Sequence, residues 1–127
     1  MNNLLDTHAF IWFIEGDNQL STHARISIER PDATNLVSIA SLWEIAIKIS
    51  LGKLKLRTSF SKISQQILDN GFQVLPITFE DTLILSELPF YHRDPFDRIL
   101  ICQSSTNNLS VISKDKIFTK YEVALIW

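Results

Sequence analysis

One cysteine, three glycines, four prolines and only a slight acidic surplus leave this 127-residue chain few special devices. A single thiol, Cys102, cannot make an internal disulfide. Set in an apolar, helical pattern, it reads as a buried small hydrophobe in a reducing compartment. No CxxC or Cys/His spacing offers a zinc site. The formal net charge of -2 and a pI near 5.9 exclude a protein that holds nucleic acid by bulk positive charge, so any such binding must be local. The amino terminus has no basic segment followed by an unbroken apolar one, and no secretion signal is read there. The most apolar later stretch, Leu42 to Leu51, is broken by Glu44 and Lys48 and is too short to span a bilayer. The expected location is cytoplasmic. No repeat, low-complexity tract or linker interrupts the chain, and 46% hydrophobic content over this length suits one domain, residues 1–127, with a single core.

Local signals divide the chain into alternating strands and helices. Leu4-Leu5 reads as a buried strand ending in Asp6, with a helix after the turn that Gly16 closes. Ser21 is the expected N-cap of a helix through Arg30, before Pro31. Asn35–Ser38 is the second strand, and a helix from Ile39 or Ala40 to about Ser50 follows, ended by Gly52. Lys53, Lys55 and Arg57 alternate with Leu54 and Leu56 in a basic connector, and a helix from Ser59 or Ser61 reaches Asn70 before Gly71. Phe72–Leu75 is the third strand. Thr78 caps a helix in which Glu80 and Asp81 face the dipole. After the next helix come a fourth strand at Leu109–Ile112, one helical turn at Ile117-Phe118 and a last strand within Val123–Trp127. The expected fold is an α/β/α sandwich around a mainly parallel sheet of four to five strands.

The densest chemistry lies in His92-Arg93-Asp94-Pro95-Phe96-Asp97-Arg98. Asp94 and Pro95 read as N-cap and first helical residue, because proline lacks the N–H that would be orphaned there. Asp97 is then the third helical residue, where the helix dipole favours its ionised form. A capping pair alone would explain both acids. In a parallel sheet, however, ligands bind at the carboxyl ends of the strands, and other acids fall there too. Asp6 follows the first strand, Glu44 lies early in the helix after the second, and Asp115 follows the fourth. The bland alternative for Glu44 is an exposed residue paired with Lys48 one turn on. Like charges about 4 Å apart repel by about 4 kcal/mol at an effective dielectric near 20, so several pairs would rival the ~5–15 kcal/mol stability of a domain. Such a cluster needs protonation or a cation, and an all-oxygen donor set prefers Mg²⁺ or Mn²⁺. Mg²⁺ keeps waters and seeks phosphate oxygens, which points to phosphate or phosphodiester chemistry.

Leu4-Leu5-Asp6-Thr7-His8, Ser41-Leu42-Trp43-Glu44-Ile45-Ala46-Ile47-Lys48, His92 to Arg98 and Ser113-Lys114-Asp115, taken in order, resemble the PIN-domain nucleases, in particular the VapC-type toxins of toxin–antitoxin pairs. The similarity runs to Tyr121, Val123 and Trp127. It implies a single PIN domain that cleaves single-stranded RNA with Mg²⁺ or Mn²⁺. Asp6, Glu44, Asp97 and Asp115 would be catalytic metal-binding acids, and Asp94 a further metal-site acid with a partly structural role. It also implies a VapB-like antitoxin, whose peptide lies across an apolar groove of the early helices, and a homodimer. One position departs from the pattern: many relatives carry an acid two residues after the last aspartate, where this chain has Ile117.

Thr7, Lys48, Arg93, Arg98 and Lys114 are candidate substrate-binding residues, with Lys53, Lys55 and Arg57 available to steer an RNA backbone. The bland reading for each base is a solvated charge. For Ser38 it is a satisfied backbone group, for His8 and His92 a polar surface residue, and for Trp12, Phe13 and Trp43 a core or interface position. Two other functions fit the acids. One is another metal-dependent α/β phosphohydrolase, although a dehalogenase-like phosphatase would want a second aspartate where His8 stands. The other is a non-catalytic PIN-fold binding module.

Overall fold

The computed structural model describes every residue from Met1 to Trp127. Five strands form one sheet: β1 (Asn2–Leu5), β2 (Thr34–Ser38), β3 (Gln73–Leu75), β4 (Ser110–Ile112) and β5 (Leu125–Ile126). Their order is β3-β2-β1-β4-β5, and every neighbouring pair is parallel. The chain builds outward from β1 through β2 to β3, then returns to lay β4 on the other side of β1. The order therefore reverses between β1 and β4, and the crevice at the carboxyl ends of those strands is where an open parallel sheet binds ligands. Leu5 stands level with Val37 on one side and Ile112 on the other. The residues that follow, Asp6, Ser38 and Ser113, thus come out of the sheet side by side.

Alternation along the strands sends neighbouring residues to opposite faces. Leu5, Val37 and Ile112 enter one core with Phe10, Ile28, Ile45 and Ile67, while Leu4 and Val111 enter another with Leu100, Ile101 and Phe118. The first face is covered by α1 (Thr7–Glu15), α2 (Thr22–Glu29), α3 (Ile39–Ser50) and α4 (Ile63–Asp69); the second by α6 (Pro95–Asn107), against which α5 (Phe79–Glu87) packs. A smaller cluster of Ala40, Ile99 and Cys102 ties α3 to α6. Cys102 is fully buried, and burial pushes its thiol up to about 11.

Capping chemistry sets the helix starts. Ser21 Oγ accepts the Ala24 N–H, and Thr78 with Asp81 forms a reciprocal capping box at α5. Asp81 does more than face a dipole: it is fully buried, with its second oxygen accepting from Thr106 Oγ1 at 2.6 Å. The sheet is wholly rather than mainly parallel, and β3 and β4 begin one residue later than expected. Phe72 leaves β3 to fill the core against Phe10 and Phe13, at ring separations of 5.8 and 5.6 Å. The helix expected from Ser59 or Ser61 starts as a 3₁₀ turn, Phe60–Lys62, before α4. No helix is long and apolar enough to cross a membrane.

Candidate functional site

Asp6 leaves β1 directly as the N-cap of α1, without an intervening turn. Its Oδ1 accepts the Ala9 N–H at 2.9 Å, and its own N–H donates to Ile112 O on β4 at 3.0 Å. The side chain is buried at the β1/β4 crevice. Burial pushes its carboxyl above the usual range, opposed by the Ser113 side chain and the Ala9 N–H. Thr7, the next residue, donates its hydroxyl to Glu44 Oε1 at 2.6 Å. Glu44 is only 6% exposed. Its other oxygen meets Lys48 Nζ at 2.8 Å, so the expected pair exists but is turned inward, towards α1. Thr7 and Lys48 are therefore positioned on an acid rather than free in solvent.

Asp94 and Pro95 start α6 as the sequence indicates. Asp94 Oδ1 accepts the N–H groups of Phe96 and Asp97 at 2.9 and 3.1 Å. Asp97 departs from expectation: its carboxyl is pushed up to about 7, chiefly by burial and then by the charges of Asp94, Asp6, Asp115 and Glu44. A helix dipole contributes about 0.3–1 kcal/mol, less than one pH unit, and is outweighed. Acids from distant parts of the chain thus come within electrostatic reach of one carboxylate.

Asp115 is exposed and caps the 3₁₀ turn Lys116–Tyr121, accepting the Ile117 N–H at 3.0 Å. Its own N–H donates to the buried Ser113 Oγ at 3.0 Å. Ser113 therefore stands between Asp6 and Asp115, a link for which the sequence gives only its place in a strand-end motif. Ile117, half-buried, packs against the core of Leu100, Ile101 and Phe118, so the position that departs from the pattern serves packing.

His92 enters the site despite its bland reading. Nε2 lies 3.2 Å from Asp97 Oδ2 and Nδ1 lies 2.8 Å from the Tyr121 hydroxyl. Tyr121 lies too far along the chain for any local signal to join them. Arg98 is a correction. It is 4% exposed, and its guanidinium donates to Pro89 O, Leu88 O and the Tyr121 hydroxyl and lies 4.0 Å over the Phe90 ring. A guanidinium buried in this way is held on the chain's own carbonyls rather than offered to solvent. Arg57 donates to Glu15 O and lies near Asp17, holding the basic connector on the end of α1. Arg93, Lys114, Lys53 and Lys55 are exposed. Ser38 Oγ accepts the Ala40 N–H at 3.0 Å, as its backbone reading requires. His8 is exposed and stacks near Trp12 at 5.6 Å.

No three of the His, Cys, Asp and Glu side chains lie close enough together to ligate one ion directly. The donor chemistry nevertheless fits a hard divalent cation. The acids offer only oxygens, and Asp97 and Asp6 are destabilised as anions by burial and mutual repulsion. Mg²⁺, which retains several waters and takes one or two carboxylates, matches such a loosely gathered set better than a cation needing a closed protein cage.

These features define an α/β domain with an acidic cluster at the topological switch point of a parallel sheet, a class suited to cation-assisted phosphate chemistry. The chain belongs to the PIN domain family, whose model matches residues 4–124. PIN domains are generally nucleases, and the family generally uses divalent metal ions. The fold is similar to that of VapBC2 from Rickettsia felis, bound to a DNA fragment from its promoter, with a TM-score of 0.71 and 13% identity over 98% of this chain and 97% of that one. It is also similar to VapBC-1 from nontypeable Haemophilus influenzae, with a TM-score of 0.68 and 16% identity over 98% and 96% of the two chains. For FitAcB from Neisseria gonorrhoeae the TM-score is 0.62, with 17% identity over 97% and 95%. No curated protein matches the chain in sequence.

Proposed function

We propose that the protein is a Mg²⁺- or Mn²⁺-dependent endoribonuclease and the toxin of a toxin–antitoxin pair. The observation that carries this reading is Asp97, whose carboxyl is held up to about 7 by burial and by the charges of Asp94, Asp6, Asp115 and Glu44. A protein gains no stability from such a cluster; a bound cation and an anionic substrate give it a use. Asp6, Glu44, Asp97 and Asp115 would hold the ion, with Asp94 contributing charge while it caps α6. When bound, a hard divalent cation supplies charge neutralisation and Lewis-acid assistance to phosphodiester hydrolysis by water. Thr7 and Lys48 fix the orientation of Glu44. Arg93 and Lys114, exposed and next in sequence to Asp94 and Asp115, would draw in an RNA backbone, and the exposed Lys53 and Lys55 would extend the same function.

The partner proposals follow from the neighbours' complexes and from surface chemistry. A VapB-like antitoxin is the proposed regulator, docking over the half-buried Trp12, Phe13, Leu54 and Leu56. A homodimer is proposed through the cavity of about 260 Å³ between α3, α5 and α6, lined by Trp43, Ile77, Leu85 and Phe96. Trp43, 61% exposed, stands edge-on to Phe96 at 5.6 Å and with it gives this cavity an apolar rim that a second copy could cover.

The test incubates purified, partner-free protein with a mixed single-stranded RNA pool in Mg²⁺, Mn²⁺ or chelator, beside Asp97→Asn and Asp6→Asn. Metal-dependent cutting lost in both variants is the expected result. Folded, metal-bound protein that cuts no RNA would remove the ribonuclease reading.

A further inference from the structure

The groups around the Tyr121 hydroxyl leave little freedom in how its proton is placed. The phenol oxygen faces the backbone N–H of Tyr91 at 3.2 Å, the backbone N–H of His92 at 3.1 Å and Arg98 Nη1 at 3.2 Å. Each of these atoms can only donate, so together they occupy the acceptor capacity of the phenol. Its remaining neighbour is His92 Nδ1 at 2.8 Å. A proton on Nδ1 would add one more donor to a filled acceptor. The phenol must therefore donate to a bare Nδ1, which places the imidazole proton on Nε2, 3.2 Å from Asp97 Oδ2.

The backbone carrying His92 is held with equal care. Arg98, the residue directly after Asp97, ties Leu88 O and Pro89 O to α6 at 3.2 and 2.8 Å and stacks on Phe90. Tyr91 packs edge-on against Tyr121, with ring centroids 5.0 Å apart. A guanidinium buried without a carboxylate partner is costly; here it pins the strap that presents one imidazole to one carboxylate.

We infer that His92 is a positioning residue for Asp97: Tyr121 fixes it as the Nε2–H tautomer, and it orients the carboxylate by donating to Oδ2. Asp97 Oδ1 receives no protein hydrogen bond and is left for a cation. That consequence rests on the metal-dependent reading above; the tautomer does not. Partners that orient metal ligands through a hydrogen bond typically affect metal affinity about 10–100-fold when removed.

The test has two readouts besides cleavage, both on the full chain. Nitrogen NMR of the imidazole should find His92 Nδ1 without hydrogen and Nε2 protonated, and Tyr121→Phe should abolish that single tautomer. Mn²⁺ calorimetry should separate two substitutions, because a glutamine amide nitrogen can reach the place of Nε2 and an asparagine amide only that of Nδ1. His92→Gln should bind Mn²⁺ within about 3-fold of the wild type, and His92→Asn about 10-fold or more weaker, with thermal melts confirming that both fold. A protonated Nδ1 in the wild type, or equal Mn²⁺ affinities in the two variants, would overturn the assignment; no Mn²⁺ binding by the wild type would instead remove the metal-dependent reading and with it the use of Oδ1. If the tautomer and affinities come out as expected but no RNA is cut, the positioning role stands and the ribonuclease reading fails.

Discussion

Asp97→Asn should make the metal-free protein more stable at neutral pH while removing the proposed RNA cleavage. The carboxyl sits at about 7 instead of its ordinary 3.8 because burial and the neighbouring acids penalise its charge. At 1.36 kcal/mol per pH unit, that displacement is worth about 4 kcal/mol at most. The side chain is 21% exposed, so solvent screening lowers the expected gain to about 1–3 kcal/mol. For a domain of this size the gain corresponds to about 4–12 °C in melting temperature. The pH dependence follows from the sign of the displacement. A carboxyl raised on folding holds its proton longer in the native than in the unfolded state, so wild-type stability falls as pH rises from about 4 to about 7. The raised carboxyl of Asp6 acts in the same direction. Calorimetric melts in chelator at pH 5 and pH 8 test both points: the variant's advantage at pH 5 should be about two-fifths of its value at pH 8. Millimolar Mg²⁺ should raise the wild-type melting temperature by mass action and leave the variant nearly unmoved. Coincident melts at pH 8, or a variant less stable than the wild type, would refute the electrostatic reasoning.

Arg98→Met should cost about 2–4 kcal/mol in urea unfolding by orphaning the carbonyls of Leu88 and Pro89, and Arg98→Lys should recover little because an ammonium cannot reproduce the fork. Weakened RNA binding at unchanged stability would contradict this structural role. Asp94→Asn should keep the α6 cap and alter stability by less than about 0.5 kcal/mol, whereas Asp94→Ala should cost about 1 kcal/mol. Carboxyl NMR should show Asp97 titrating lower in the asparagine variant, and an unchanged Asp97 would mean Asp94 contributes no charge to the site. Thr106→Val should lose about 1–3 kcal/mol in a thermal melt by leaving the buried Asp81 oxygen unpaired; a neutral change would show that water replaces the hydroxyl.

Features set by interactions within a few residues were legible in the sequence. Asp94-Pro95, Ser21 and the Thr78–Asp81 box each fix a helix start through a side chain that reaches an N–H no more than one turn away. Gly16, Gly52 and Gly71 close helical segments in the left-handed conformation at φ of 64°, 69° and 71°, which glycine adopts without strain. The apolar run Leu4-Leu5 and the alternation of strands with helices were enough to indicate a sheet between helical layers, and the structure sends Leu5 and Ile112 to one core and Leu4 and Val111 to the other. The placing of acids at strand ends and helix starts followed from the same local signals.

What the sequence did not determine depends on which distant segments pack together. That Glu44 is buried against Thr7, that Ile117 packs against the core and that Arg98 is held on the strap depends on burial that only packed neighbours create. The same holds for the pairing of His92 with Tyr121, and for a carboxyl at Asp97 raised against the pull of its own helix. Local chemistry acts over a turn of backbone and is written in neighbouring residues. Desolvation and charge repulsion depend on distance in space, and the return of β4 to the far side of β1 sets those distances.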